Sequence, residues 1–110
     1  MSREKFDVIV VGAGMAGVCA SLEAAERGQR VLLLDVAYGG GTSSISGGVV
    51  YAGGGTSTQR EAGVEDSVEN MNNYLIQETA GIVKDETVRR FCEESADAIE
   101  WLKAKGVKFQ

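Results

Sequence analysis

Apolar residues form two short continuous runs near the start of the chain, with a helical pattern between them. Residues 6–11 are mostly β-branched, which is typical of a strand that is buried on both faces of a parallel sheet. Residues 15–27 are good helix formers, and Gly28 follows where a C-terminal cap glycine is expected. The apolar positions at helical spacing are Val18, Leu22 and Ala25. Because residues 30–34 form a second apolar run, we predict a right-handed β-α-β unit.

A glycine-rich segment follows this unit. Residues 38–59 contain mostly glycine, serine and threonine, a composition that is also found in flexible linkers. Val49, Val50 and Tyr51 interrupt the segment, and a linker has no use for such β-branched and aromatic residues. We therefore expect a glycine-rich loop with a structural role.

Two helices are predicted after the loop. Asp66 resembles an N-cap residue, because Glu69 stands three positions later in a variant of the capping box. That helix should end near Gly81, and the second should extend from about Asp85 to Gly106. The expected apolar face of the second helix consists of Val88, Phe91, Cys92, Ala96, Ile99 and Leu102. This order of elements favours an α/β fold.

Val107, Lys108 and Phe109 alternate between apolar and polar residues, which resembles the start of a further strand.

The length and the charge of the chain limit its possible functions. The 110 residues suffice for one domain of ordinary size. With 11 Lys and Arg against 16 Asp and Glu, the net charge is −5, so nucleic acid is a poor partner because it needs a basic surface.

Histidine and paired cysteines are both missing. Without histidine, the chain cannot build a histidine metal site or a Ser-His or Cys-His catalytic pair, and we expect no metal. Cys19 and Cys92 lie far apart without a CxxC pattern. We expect both to be free, buried thiols in a reducing compartment, which favours a cytoplasmic location.

Residues 8–20 form a longer, mostly apolar stretch that could be mistaken for a membrane-spanning helix or a secretory signal. A membrane-spanning helix requires about 20 apolar residues, so no span is predicted. A secretory signal stays open on length, although Glu4, Asp7 and three glycines in the stretch weaken that alternative.

The chemistry of the chain centres on residues 12–17, whose sequence GAGMAG matches the GxGxxG pattern between the predicted strand and helix. Gly12 would permit the tight turn, and Gly14 would let a pyrophosphate approach the backbone. Gly17 would let the helix pack closely on the sheet. The free N–H groups and the partial positive charge at the helix start favour an anionic pyrophosphate.

Asp35 ends the second predicted strand, 18 positions after Gly17. Dinucleotide-binding units place an acid there to accept hydrogen bonds from ribose hydroxyls. A carboxylate at this position repels a 2′-phosphate, so NADP is disfavoured. FAD and NAD share this pattern, and a glycine-rich turn without a ligand is the simpler alternative.

Two longer segments carry a family resemblance. They are residues 7–35, DVIVVGAGMAGVCASLEAAERGQRVLLLD, and residues 39–56, GGGTSSISGGVVYAGGGT. Together they resemble the start of the FAD-binding domain in flavoproteins of the fumarate reductase and succinate dehydrogenase type. Residues 47–55 are most similar to the branch that contains 3-ketosteroid dehydrogenases, and the resemblance continues to residue 109.

The resemblance implies a Rossmann-like FAD-binding fold and a set of positions around FAD. Residues 41–43 match the loop that reaches the pyrophosphate, and residues 46–48 match the stretch beside the isoalloxazine ring. The expected cofactor-binding set is Gly12, Ala13, Gly14, Ala16, Gly17, Asp35, Gly41, Thr42, Ser43, Ser46, Gly47 and Gly48. A solvated polar loop is the alternative for the hydroxyl residues. Some family members link the flavin covalently through histidine, which this chain lacks, so noncovalent FAD is expected.

The resemblance also implies that the fold is incomplete. Residues 1–110 would be the N-terminal part of an FAD-binding domain, without the capping domain that supplies much of the substrate site. The implied function is the FAD-binding portion of an oxidoreductase that moves a hydride between flavin N5 and an activated C–C bond. The substrate would be a dicarboxylate or a ketosteroid-like enone, bound through segments outside this sequence.

The chain by itself is expected to be inactive, and its resemblance assigns no catalytic residue. Two other functions stay open. One is a noncatalytic nucleotide-binding or interaction module. The other is part of an NAD-dependent dehydrogenase, for which the glycine- and hydroxyl-rich loop after Asp35 would have no evident use.

Overall fold

The computed structural model describes residues 3–109. The described residues form two compact units, which divide between Val49 and Val50. The first unit contains a pair of parallel strands and one α-helix, and the second contains three α-helices.

The first unit contains the predicted β-α-β arrangement. Strand β1 spans Val8–Val11, helix α1 spans Met15–Glu26, and strand β2 spans Val31–Leu34. The strands are parallel, and their register pairs Val8 with Val31 and Val11 with Leu34. Gly28 follows α1 with a φ of 79°, a backbone conformation that glycine adopts without strain. The predicted element order and helix end are therefore confirmed, and both strands are shorter than the apolar runs that predict them.

Burial of β1 differs from the expectation. Ile9 is 60% exposed and Val11 is 83% exposed. Helix α1 covers the opposite face, since a Cβ on Gly17 would lie 3.4 Å from Cγ1 of Val10. Because one helix covers only one face of a two-stranded sheet, alternate side chains of β1 stay exposed. The prediction of burial on both faces is wrong for the described residues.

Helix α1 has small residues on its more buried positions. Gly17, Ser21 and Ala24 are partly buried, whereas Val18 and Leu22 are 38% and 42% exposed. The apolar spacing therefore predicts the helix correctly without marking its packed face. Small side chains allow a helix backbone to approach a strand closely.

The glycine-rich segment after β2 contains a 3-10 helix over Gly41–Ile45. Three successive glycines precede and start this helix with positive φ values: Gly39 at 82°, Gly40 at 83° and Gly41 at 51°. Residues with a Cβ rarely adopt such angles, so this run of glycine is required by the backbone path. A flexible linker would impose no such requirement.

The second unit consists of α2 at Ser57–Glu61, α3 at Val68–Thr79 and α4 at Asp85–Ala104. Its core joins Met71 of α3 to Val88 and Cys92 of α4. Burial of these side chains against one another is the main stabilising contribution of this unit. The two longer helices confirm the prediction, whereas the short helix α2 was not expected.

One residue on the expected apolar face of α4 is misplaced. Phe91 is 44% exposed, whereas Ser95 is only 5% exposed. Ser95 is buried because its hydroxyl satisfies the backbone of Gly53, accepting from the N–H at 3.3 Å and donating to the carbonyl at 3.1 Å. A polar residue with satisfied hydrogen bonds can therefore occupy a buried helix position.

The cap of α3 also differs from the expectation. Ser67, not Asp66, is the N-cap residue, and its hydroxyl accepts from the N–H of Asn70 at 3.1 Å. The two-way capping box lies at α2, between Thr56 and Gln59. Asp66 instead accepts a hydrogen bond from Gly54 N–H at 2.8 Å, so its carboxylate is engaged by the preceding loop.

The described residues after α4 add no strand to the fold. Residues 107–109 form no strand, so the expected start of a strand is not observed; a strand needs a pairing partner. Helix α4 ends before Gly106, which has a φ of 91°. Over residues 3–109, no helix combines the length and the apolar character needed to cross a bilayer.

Candidate functional site

The glycine turn between β1 and α1 depends on two of its glycines for the fold itself. Gly12 has a φ of 104°, which favours glycine, and its N–H donates to the carbonyl of Leu34 at 2.7 Å. A Cβ at Gly17 would collide with the carbonyl oxygen of Gly12. Both glycines therefore hold the turn against α1 and β2, as the sequence predicts.

The backbone of Ala13 is hydrogen-bonded through both its N–H and its carbonyl. Its N–H donates to Oδ2 of Asp35 at 2.7 Å, and its carbonyl accepts from the N–H of Gly40 at 2.8 Å. Ala13 is only 9% exposed. The turn after β1 and the segment after β2 are therefore joined at one residue.

Asp35 reaches a second backbone group. Its Oδ1 accepts from the N–H of Ala37 at 2.8 Å. The hydrogen bond from Ala13, followed by those from Ala37 and Gly39, lowers the pKa of Asp35 from its usual value of 3.8. The carboxylate is exposed and ionised at neutral pH. Each of its oxygens can accept a further hydrogen bond.

Ser43 meets the first turn of α1. Its Oγ accepts from the N–H of Met15 at 3.1 Å. Gly14 lies beside this contact, and a Cβ there would meet only Ser43 Oγ at 3.6 Å and Gly40 O at 4.0 Å. A Cβ on Gly41 would lie 3.5 Å from Cα of Gly14. The fold itself thus leaves room for a side chain at Gly14, unlike at Gly17.

Three backbone N–H groups at the start of α1 have no acceptor within residues 3–109. They belong to Gly14, Ala16 and Gly17, and they precede the first helical hydrogen bond, from Val18 N–H to the carbonyl of Gly14. Such groups, together with the positive end of the helix dipole, favour a negatively charged oxygen. The exposed hydroxyl of Thr42 lies on the same 3-10 helix as Ser43. This donor set fits a pyrophosphate.

The remaining predicted residues form a turn of their own. Ser46 donates through Oγ to the carbonyl of Ser43 at 3.0 Å and accepts from the N–H of Gly48 at 3.2 Å. A Cβ at Gly47 or at Gly48 would meet nothing within 4 Å, although Gly48 has a φ of 72°. Ser46 is therefore hydrogen-bonded to the 3-10 helix, and there is free space beside the Cα atoms of both glycines.

Sequence reasoning missed Gly39 and Gly40 as parts of this site. Gly40 donates to Ala13, and the Gly39 N–H lowers the pKa of Asp35. The signal was present in the sequence, because three glycines in succession rarely occur without a backbone requirement. It did not reveal which peptide the run contacts.

The polar groups of the second unit hold a loop. Asp66 Oδ2 accepts from Gly54 N–H and from Gln59 Nε2, each at 2.8 Å. These hydrogen bonds, with the Gly54 one the largest cause, lower the pKa of Asp66. Gln59 in turn accepts from Thr56 N–H at 2.9 Å. Because the chain itself supplies the hydrogen-bond partners of these polar groups, we interpret the groups as structural.

Cysteine and metal chemistry add nothing to the site. Cys19 and Cys92 are both free thiols, but only Cys92 is buried, so the expected burial is wrong for the half-buried Cys19. Burial raises the pKa of Cys92. Among residues 3–109 no cluster of histidine, cysteine, aspartate or glutamate is arranged to hold a metal ion.

Comparison with known proteins gives the family and its fold. The family described as "FAD binding domain" matches residues 7–110. Among curated proteins, a 3-oxo-5-alpha-steroid 4-dehydrogenase from Comamonas testosteroni is 45% identical over 103 residues, which are 94% of this chain and 19% of that protein.

Solved structures agree. A 3-ketosteroid-delta4-(5alpha)-dehydrogenase from Rhodococcus jostii, in complex with 4-androstene-3,17-dione, superposes with a TM-score of 0.90 at 40% identity, over 96% of this chain and 22% of that one. A flavocytochrome c3 fumarate reductase in its open conformation gives a TM-score of 0.82 at 39% identity, over 96% and 19%. The predicted α/β fold class is confirmed. The chain spans about a fifth of the length of these relatives.

Proposed function

The chain belongs to the FAD binding domain family, and on that premise we propose that it is the N-terminal FAD-binding part of a flavin-dependent oxidoreductase. One observation carries this proposal. The glycine turn, Asp35 and the 3-10 helix Gly41–Ile45 meet through the bonds Ala13–Asp35 and Met15–Ser43. The family favours FAD over NAD as the dinucleotide.

The N-terminus of α1 is the proposed pyrophosphate site. The N–H groups of Gly14, Ala16 and Gly17, which have no acceptor among the described residues, would donate to phosphate oxygens. Ser43 and Thr42 would add hydroxyl donors, and Gly41 would let the loop backbone approach the phosphates. The three N–H groups have no acceptor within residues 3–109 and the two hydroxyls can rotate toward the ligand, so binding breaks no backbone hydrogen bond of the described residues.

The two ends of FAD would lie on either side of the pyrophosphate. Asp35 would accept from the ribose hydroxyls through its unused lone pairs. Ser46, Gly47 and Gly48 would pass beside the isoalloxazine ring, where a backbone without side chains can come close. Bound FAD would supply hydride transfer at N5. With no histidine in the chain, we propose noncovalent attachment.

The proposed substrate is an enone of the ketosteroid type, with a dicarboxylate such as fumarate as the second candidate. The first follows from the relative that carries 4-androstene-3,17-dione, and the second from the fumarate reductase. The chain's own residues would bind and orient FAD, and the acid and base would come from the remainder of a longer protein. The free thiols support a reducing, cytoplasmic location.

A pair of assays on the full-length protein tests this function. Purified protein should show flavin absorption. It should either reduce an artificial electron acceptor with a 3-ketosteroid as the electron donor, or oxidise a reduced dye with fumarate as the electron acceptor. Titration with FAD, ADP and AMP runs beside it. Adenylate binding without turnover on either substrate class would favour a noncatalytic module. Failure to bind any of the three would refute the FAD site.

A further inference from the structure

We propose that Asp35 is a positioning residue for the pyrophosphate site, because its carboxylate fixes the peptide that presents the glycine turn. This inference rests on the proposed FAD site and goes beyond a ribose contact. It concerns the hydrogen bond from Ala13 N–H to Asp35 Oδ2, which joins residues 22 positions apart.

The Ala13 peptide has little freedom while Asp35 is ionised. Its N–H is bonded at 2.7 Å to the carboxylate, and its carbonyl is bonded at 2.8 Å to Gly40 N–H. A residue whose N–H and C=O are both fixed has a defined orientation. The next N–H along the chain belongs to Gly14, which has no acceptor among the described residues. The Gly14 N–H belongs to the same planar peptide group as the Ala13 carbonyl that Gly40 holds, and Asp35 holds the peptide group before it. The two bonds together therefore aim the Gly14 N–H.

Asp35 also fixes the other side of the site. Its second oxygen accepts from Ala37 N–H at 2.8 Å, and Ala37 begins the segment that leads to Gly40 and Ser43. A single carboxylate thus ties the end of β2 to the glycine turn and orders the start of the loop. Preorganised donors bind an anion more tightly because less ordering is needed on binding.

Charge separates this role from a direct phosphate contact. A carboxylate and a pyrophosphate are both negative, so Asp35 would repel the phosphates at close range. Any gain in pyrophosphate affinity from Asp35 must therefore act through the backbone it holds. A ribose contact, by contrast, depends on the 2′- and 3′-hydroxyls of the ligand.

That difference gives a direct test with two ligands. ADP and 2′,3′-dideoxy-ADP are titrated calorimetrically into the full-length protein after its flavin has been removed. Asp35→Asn is compared with the unmodified protein, because the amide keeps the shape and loses the charge and one acceptor. The matched control is Asp7→Asn. Asp7 likewise ties β1 to β2, by accepting from Arg30 N–H at 2.8 Å, at the opposite end of the strand pair.

The positioning role predicts that Asp35→Asn weakens dideoxy-ADP by about tenfold, the size expected for one charge-assisted hydrogen bond. Asp7→Asn should leave the affinity for both ligands unchanged. An undiminished affinity of Asp35→Asn for dideoxy-ADP would overturn the inference, whether or not ADP is weakened. If the unmodified protein binds neither ADP nor FAD, the proposed function itself has failed.

A second measurement needs no variant. Hydrogen exchange resolved at single amides should show Ala13 protected in the ligand-free protein, whereas Gly14 and Ala16 become protected only when ADP is added. An Ala13 amide that exchanges as fast as that of Gly14 before ligand is added would contradict the role of Asp35, even if FAD binds normally.

Discussion

Gly17 lies directly against the carbonyl group of Gly12, so close that a Cβ on Gly17 would collide with the oxygen and lie 3.0 Å from the carbonyl carbon. The contact joins the first turn of α1 to the end of β1. It fixes where α1 begins, and therefore where its free N–H groups point.

Gly17→Ala should lower the free energy of unfolding. Alanine gains about 1 kcal/mol of helix propensity over glycine, but overpacking typically costs about 1–3 kcal/mol, and a backbone oxygen cannot rotate away. We expect a net loss of up to about 2 kcal/mol, measured by chemical denaturation of the full-length protein. Gly47→Ala is the control, since a Cβ there meets nothing within 4 Å. Equal stability of the two variants would show that the contact is not tight in solution.

The carboxylate of Asp35 predicts a pH dependence of stability. Its pKa is lower in the folded chain than its usual value of 3.8, chiefly through the hydrogen bond from Ala13. A lowered folded pKa adds stability above the unfolded value and removes it as the pH falls through the folded value. The stability difference between the unmodified protein and Asp35→Asn should therefore shrink from pH 6 toward about pH 3. A difference that is constant over this range would contradict the ionised contact.

Ser43→Ala should weaken FAD binding by about 1 kcal/mol, the usual contribution of one hydrogen bond. The Ser43 hydroxyl meets Met15 N–H at the proposed pyrophosphate site. Ser44→Ala removes a hydroxyl from the same 3-10 helix, where it donates to the carbonyl of Gly41 at 2.8 Å, and should weaken FAD less. Flavin fluorescence titration of both variants measures this. A larger loss for Ser44→Ala would assign the effect to the loop's stability.

Ser95→Ala should destabilise the second unit. The variant leaves the N–H and carbonyl of Gly53 without their buried partner, which typically costs about 1–3 kcal/mol. Glu94→Ala, at an exposed neighbouring position, should change stability by less than about 0.5 kcal/mol. Thermal unfolding compares the two. Matching midpoints would mean that water replaces Ser95 without cost.

The sequence predicts the β-α-β order well because each part has a local signal. Continuous apolar runs mark the strands, and Gly28 marks the end of α1. The expected burial of β1 fails because burial depends on what covers a face, and a strand's own residues do not contain that information. For the same reason, the sequence pattern does not predict that Phe91 is exposed and Ser95 is buried. The burial of Ser95 depends on its hydrogen bonds to Gly53, which lies in a loop far away along the chain.

The site is predicted as a set of residues, and the pairings between them are not. Asp35 is expected to face a ribose, yet its nearest partners are the N–H groups of Ala13 and Ala37. The bond from Ala13 joins residues 22 positions apart, and the bond from Gly40 to the carbonyl of Ala13 depends on the backbone angles at Gly39 and Gly40. The capping box at Thr56 and Gln59 was also missed, because the prediction placed a variant of the box at Asp66 and Glu69, although the T-x-x-Q spacing is present in the sequence.

The flavin content of Gly14→Ala decides whether FAD binds at the glycine turn before α1. A Cβ at Gly14 would lie 3.6 Å from Ser43 Oγ, an ordinary contact, so the variant should fold. The same Cβ would occupy the approach of the pyrophosphate. We predict that the unmodified full-length protein holds FAD stoichiometrically and releases it on denaturation, and that folded Gly14→Ala binds FAD at least about tenfold more weakly. Unchanged FAD affinity in folded Gly14→Ala would contradict pyrophosphate binding at this turn.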